Sequence, residues 1–276
     1  MTFSIVARSD DGSGEDASWG VAVASKFLAV GSMVPAAVAG VGAIATQADA
    51  NVAYKGLALA HLDDGATAPV ALDRLLEEDA GRDRRQVGIV DVDGTAASHT
   101  GRACMHWAGG VTGPGYAVQG NILAGPEVVA EMERAFLASD PGLPLAQRLL
   151  AALAAGDAAG GDLRGRQSAA LLVVREEAGY GGLDDLAVDL RVDDHADPVA
   201  ELGRLLALNQ LYLTASTEEE KVPVTPDLES ELTAFAATRG FPDFLSWVGT
   251  ENYEMRVAMD LSWIDRRILE IVRVGR

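Results

Sequence analysis

The order of the two hydrophobic periodicities constrains this chain most. Segments that alternate every second residue come in runs, and segments with a helical period come in pairs. Strict β-α-β alternation is absent. Thr2–Arg8 sets Phe3, Ile5 and Ala7 against Ser4, Val6 and Arg8, and with Trp19–Phe27 it reads as a hairpin around a polar turn over Asp10–Ala17. Val34–Gln47, rich in Val, Ile, Ala and Gly, reads as further buried strand. Asn51–Leu62 and Ala68–Glu78 then read as helices. Gln86–Val92 and Thr95–Thr100 pair across Asp93-Gly94, a tight-turn signal, and Ala117–Ile122 adds a strand. Pro126–Ala138 and Pro144–Ala155 make a second helix pair, with Pro126 suited to a first turn. Gln167–Val174 and Leu186–Val192 are strands, and Pro198–Leu213 is an amphipathic helix. A chain ordered in this way is expected to be α+β, with antiparallel sheets carrying packed helix pairs.

The texture changes after residue 213. Thr214–Val222 (TASTEEEKV) is polar and acidic and is expected to be a linker between a large domain, 1–213, and a small helical module, 223–276. In that module Asp227–Thr238, Phe244–Trp247 and Trp263–Val272 read as helices, at a size where helical packing alone is barely sufficient.

Composition narrows the partners. The 276 residues are 49% hydrophobic, enough for a large buried core, and the formal charge is −19. Such a chain repels phosphate backbones, which argues against a nucleic-acid partner. No apolar run reaches the roughly 18 to 20 residues of a membrane span, and no basic, then apolar, export pattern opens the chain. The single cysteine, Cys104, excludes an internal disulfide and a thiolate metal cluster, so a reducing cytoplasm is the default expectation. Cys104 itself reads as a small buried hydrophobe.

Met1 is followed by Thr2, and a small second residue favours removal of the methionine. The chain would then begin with one residue that carries both a hydroxyl nucleophile and, on its α-amine, a general base. An amine with a pKa near ~8 takes a proton at neutral pH far better than a lysine near ~10. The other reading of Thr2 is the first β-branched residue of a strand.

The segments TFSIVAR, WGVAVASKFLAVGS, VGAIATQA, RQVGIVDVDG, TGPGYAVQGNILAGPEVV, GGDLRGRQSAALLVV and DLRVDDHADPV resemble, block after block over residues 2–213, a bacterial family labelled DUF1028. By fold that family belongs to the N-terminal nucleophile (Ntn) hydrolases. The resemblance implies a four-layer αββα sandwich and amide hydrolysis by an N-terminal Thr, Ser or Cys, without naming a substrate. The tail resembles the peptidoglycan-binding-like module that often follows this domain.

Around Thr2 the candidates are these. Asn121, or the N–H of Gly120, suits an oxyanion donor, against the alternative of an Asn closing a turn. The family's architecture implies that Ser25 or Lys26, at the end of the second strand, lies near the nucleophile. Strand alternation lets only one of the two face it, with Ser25 favoured. By positional analogy Asp162 and Ser168 orient the nucleophile. Arg166 could clamp a substrate carboxylate, or form a surface salt bridge. Gln47 and Gln167 complete the substrate-binding set. Asp193, Asp194 and His195 read as a helix N-terminal cluster rather than a metal site. His99 and His106 are isolated. No cofactor is expected. Two functions remain open: a hydrolase of a small amide or peptide-like bond, or a non-catalytic Ntn-fold binder of a cell-wall fragment. A glycine-rich face, VGSMVPAAVAGVG, could pack copies together as a homo-oligomer.

Overall fold

The computed structural model describes residues 2–9 and 17–274, so the expected loss of Met1 and most of the expected turn over Asp10–Ala17 lie outside the described residues. Two compact units divide the chain, Met1–Leu205 and Leu206–Arg276.

In the first unit β1 (Thr2–Ser9) and β2 (Ser18–Ser25) pair antiparallel. A one-turn helix α1 (Val30–Met33) leads to β3 (Pro35–Val38) and β4 (Gly42–Ala48), followed by α2 (Ala53–Asp63) and α3 (Ala68–Glu77). Then come β5 (Arg85–Asp91), β6 (Ala96–Thr100), β7 (Trp107–Gly113) and β8 (Tyr116–Leu123). The helices α4 (Glu127–Ala138) and α5 (Leu145–Ala158), the strands β9 (Ser168–Val174) and β10 (Leu186–Val192), and α6 (Pro198–Tyr212) complete the series. Six strands form one sheet in the order β10-β9-β2-β1-β8-β7, and four form another in the order β3-β4-β5-β6. Every pairing in both sheets is antiparallel.

Alternation along the strands decides what each face meets. α4 and α5 pack on the six-stranded sheet, α2 and α3 on the four-stranded sheet, and the two remaining sheet faces meet each other. Between the sheets Val6, Val21 and Val23 pack with Ala43, Ala45 and Val90. On the other face of the small sheet Ile44, Val87 and Ile89 pack with Ala58, Leu62 and Leu72. Each fully buried Val or Leu contributes about 1.5–3 kcal/mol, so both of these layers help hold the unit. Asp91 ties them locally. Its carboxylate accepts from Ala68 N–H at the start of α3 and from Asp93 and Thr95 N–H in the hairpin turn.

Two sequence expectations change here. Val34–Gln47 is two strands, because Gly40, at φ 70°, turns the chain between them. β7 has no counterpart in the sequence reading, since Gly109, Gly110 and Gly113 weaken a strand signal. Those glycines make room for rings: a Cβ at Gly113 would lie 2.4 Å from the Tyr116 ring, and one at Gly109 would lie 3.1 Å from Trp107.

A charged cluster joins α2, α3 and β5. Arg85 Nε and Tyr54 Oη both donate to Asp79 Oδ2 at 2.8 Å. Hydrogen bonds from Arg85 hold the Asp79 carboxyl well below the usual carboxylate range, and burial pushes the Tyr54 phenol up. With a folded pKa below the unfolded one, Asp79 stabilises the fold above about pH 4 and progressively less as pH falls below it. Asp79→Asn is therefore expected to lower the urea midpoint at pH 7, by a margin that narrows at pH 3; an equal loss at both would assign the effect to something other than the charge.

In the second unit β11 (Lys221–Pro223), α7 (Pro226–Thr238), α8 (Phe244–Thr250), β12 (Trp263–Asp265) and α9 (Arg266–Val274) surround Leu232, Phe244, Trp247, Tyr253, Ile264 and Ile268. The expected linker over Thr214–Val222 is part of this unit. Lys221 and Val222 pair with Asp265 and Ile264, and Glu220 forms ion pairs with Arg256 and Arg267. The boundary between units falls inside α6, because Leu211 and Tyr212 pack on the second core. Trp263–Val272, expected as one helix, is a short strand followed by a helix.

Candidate active site

Parity places the candidate nucleophile. Phe3 turns toward α5, where a Cβ on Gly156 would lie 3.4 Å from its ring, so Thr2 and Ser4 turn inward between the sheets. Phe3 pairs with Ala24 on β2, which brings Thr2 level with Ser25, while Thr2 pairs with Asn121 on β8. Thr2 is 6% exposed, and its Oγ1 lies 3.1 Å from Ser25 Oγ.

Beneath Thr2 lies a layer of buried carboxamides. Gln86 Oε1 accepts from Gln47 Nε2 and from Asn121 Nδ2, both at 2.8 Å. The same two donors reach the Thr2 carbonyl at 3.3 and 3.5 Å. Ser4 Oγ donates to Gln47 Oε1 and accepts from Gln119 Nε2, each at 2.7 Å. Gln86 Nε2 is anchored on Thr100 Oγ1 and the carbonyls of Gly109 and Gly120. Such a network fixes one arrangement of the layer, and it fixes the main chain of Thr2 with it. Gly88 makes room for it: a Cβ there would lie 2.1 Å from Gln119 Oε1.

Among the described residues, two clefts reach the Thr2–Ser25 pair. One of about 260 Å³ has Thr2 and Gln47 in its wall, with Phe27, Met33, Ala48 and Val52. The other, about 490 Å³ and polar, has Ser25, Asp157, Asp162 and Arg166 in its wall.

A family model described as a family of unknown function, DUF1028, matches residues 2–202. The chain belongs to the DUF1028 family. A crystal structure of a DUF1028 protein from Silicibacter pomeroyi is similar at 34% identity and a TM-score of 0.67, covering 76% of this chain and 89% of that one. An Anbu protein from Hyphomicrobium sp. strain MC1, a Gly-1 mutant, overlaps at 12% identity and a TM-score of 0.36, covering 79% of this chain and 99% of that one. No curated protein matches. The family match ends before the second unit.

The remaining candidates of this DUF1028 chain are placed as follows. Lys26 is exposed, and its Nζ donates to the Arg166 carbonyl at 3.2 Å. Its main-chain N–H donates to Asp162 Oδ2 at 2.7 Å. Asp162 also holds Arg164 and is buried at the edge of the polar cleft, where its contacts are to these groups rather than to Thr2. Arg166 pairs with Asp157 at 2.7 Å. Gln167 N–H donates to the Ser25 carbonyl at 3.2 Å, and its side chain donates to Asp194. Ser168 Oγ donates to the Phe27 carbonyl and accepts from Val30 N–H, so it clamps the loop that walls the apolar cleft. A Cβ on Gly120 would meet Leu123, and the Gly120 carbonyl accepts from Gln86 Nε2. Asp193 and His195 hold neighbouring loops through Ala29, Gln167 and Asp197. No group of three His, Cys, Asp or Glu among the described residues is placed to hold a metal ion.

Sequence reasoning passed over Gln86, Gln119 and Ser4 in this DUF1028 domain. Their signal was a polar residue at an inward position of an apolar strand. Backbone strain marks the same region. Ala48, at φ 68°, ends β4 in the cleft wall; Ala29, at φ 53°, ends the cleft loop; Ile122, at φ 51°, follows Asn121. Positive φ is rare for alanine and rarer for a β-branched residue, and such strain gathers where geometry serves a site.

Proposed function

We propose that this chain is an amidohydrolase of the N-terminal nucleophile type, acting on a small amide or peptide-like bond, with Thr2 as nucleophile once Met1 is removed. One observation carries the reading: the Thr2 hydroxyl sits inward at the end of a central strand, in the wall of a cleft, 3.1 Å from Ser25 Oγ. Two antiparallel sheets between helix pairs support reading the first unit as an αββα sandwich of that class.

In the mechanism, Thr2 Oγ1 adds to the substrate carbonyl carbon and its proton passes to the Thr2 α-amine. The C–N bond then breaks, and the departing nitrogen takes that proton from the α-amine, leaving an ester on Thr2. Water attacks the ester, gives one proton to the amine, and Thr2 Oγ1 recovers it as the acid is released. Ser25 Oγ orients Thr2 Oγ1. Asn121 and Gln47 hold the Thr2 carbonyl, so the nucleophile needs no reorganisation when it reacts.

The test is mass spectrometry of protein from its native host, incubated with an acyl arylamide and quenched in acid. The expected result is loss of one methionine and an acyl group on the peptide that begins at Thr2, released by hydroxylamine as an ester is. A chain that keeps Met1 overturns the proposal.

A further inference from the structure

Resting on that reading, we infer that the cleft beside Thr2 takes an apolar side chain on the carbonyl side of the scissile amide, of leucine or phenylalanine size. Three observations lead there. First, the lining offers a ligand almost no polar group. Among the described residues Gln47 is the polar side chain in the wall besides Thr2, and its carboxamide is occupied: Oε1 accepts from Ser4, and Nε2 faces Gln86 and the carbonyls of Thr2 and Gln119. A charged group in this cleft would give up water without a partner.

Second, large apolar side chains stand partly bare around a nucleophile. Phe27 is 49% exposed, Met33 42% and Val52 50%. They belong to three different segments held to one another. Ser168 fixes the Phe27 loop, and Lys55 Nζ, one turn beyond Val52, donates to the Ser32 carbonyl beside Met33 at 3.1 Å. An occupant buries this surface, and the unbranched thioether of Met33 adapts to its shape.

Third, size and position select the occupant. About 260 Å³ is below the roughly 300–1,000 Å³ of clefts that enclose drug-sized ligands, so it suits one side chain rather than a whole substrate. The acyl group is the part of the substrate that becomes bonded to Thr2. The cavity with Thr2 in its wall therefore receives the acyl substituent, while the polar cleft at Ser25 is left for the remainder.

The experiment uses acetyl-Leu, acetyl-Ala, acetyl-Asp and acetyl-Lys 4-nitroanilides, which share one leaving group. Removing apolar contact from such a pocket is worth about 10- to 100-fold, so kcat/KM for Leu is expected to exceed that for Ala by that factor, with Asp and Lys lower still. Val52→Asp, at a half-exposed position that tolerates the change, is expected to erase the preference for Leu. Calorimetry of acetyl-leucinamide with Thr2→Ala protein reads the pocket without turnover. Equal rates for the four substrates overturn the inference and leave the hydrolase standing. Absence of turnover, with acetyl-leucinamide binding that Val52→Asp abolishes, keeps the pocket and overturns the hydrolase. Absence of both turnover and binding overturns both.

Discussion

Thr2→Ala is expected to lower amide turnover by about 10⁴-fold or more, on the scale that loss of a covalent nucleophile costs other hydrolases. The fold should survive the change. Alanine has no hydroxyl for Ser25, so the structural cost is about that of one neutral hydrogen bond, ~1 kcal/mol. Alanine also keeps a small second residue, so on the proposed mechanism removal of Met1 and the α-amine base are unaffected. Thr2→Ser restores the hydroxyl and should restore measurable turnover. Initial rates on an acyl arylamide, beside the melting temperature, separate chemistry from stability. Equal rates in wild type and Thr2→Ala would remove Thr2 from the mechanism, whatever else the cleft does.

Why Thr2 was legible in the sequence and its surroundings were not follows from how each is encoded. Hydroxyl and amine share one residue, so the reading needs no distant partner. By contrast, the carboxamide layer draws Gln47 from β4, Gln86 from β5 and Asn121 from β8, and each is an isolated polar residue in an apolar strand. Only strand order and register bring them together. Lys26 lies just beyond the end of β2, and its ammonium donates to the Arg166 carbonyl. Asp162 and Ser168, which positional analogy assigns to orienting the nucleophile, make their hydrogen bonds to the loops that shape the two clefts. The layered arrangement of sheets and helix pairs was readable because its signal is periodicity over whole segments. Strand β7 was not, because glycine trades that signal for space that aromatic rings fill. In the tail, Phe244, Trp247 and Tyr253 build the core of the second unit, where their rings pack against one another.

That second core encloses a charge, and the largest expected stability effect lies there. Arg256 is 1% exposed and Asp265 0%, and Arg256 Nη1 donates to Asp265 Oδ2 at 2.9 Å and to Glu220 Oε2 at 3.1 Å. Its other nitrogens donate to the carbonyls of Leu211 and Gln210 at the end of α6. The one guanidinium thus joins α6, the Glu218–Glu220 turn and β12, which is why the segment read as a linker is held in place. Burial alone would raise the Asp265 carboxyl, yet hydrogen bonds from Ser216 and Arg267 N–H, with the charges of Arg256 and Arg267, hold it below the usual range. Arg256→Ala leaves that carboxylate buried without its main counter-charge, and two carbonyls lose their donors. Removing one partner of such a pair costs about 3–5 kcal/mol, comparable with the whole stability of a small module. Hydrogen exchange should therefore show protection collapsing over 206–274 while residues 2–205 keep theirs. The destabilisation should also shrink below about pH 4, where Asp265 in the unfolded chain is protonated and the wild-type advantage fades. Replacing Arg256 and Asp265 together by Met and Leu removes both charges and should recover much of the loss. If Arg256→Ala unfolds nothing, or if the double replacement is as damaging as the single one, the buried pair is not what holds this unit.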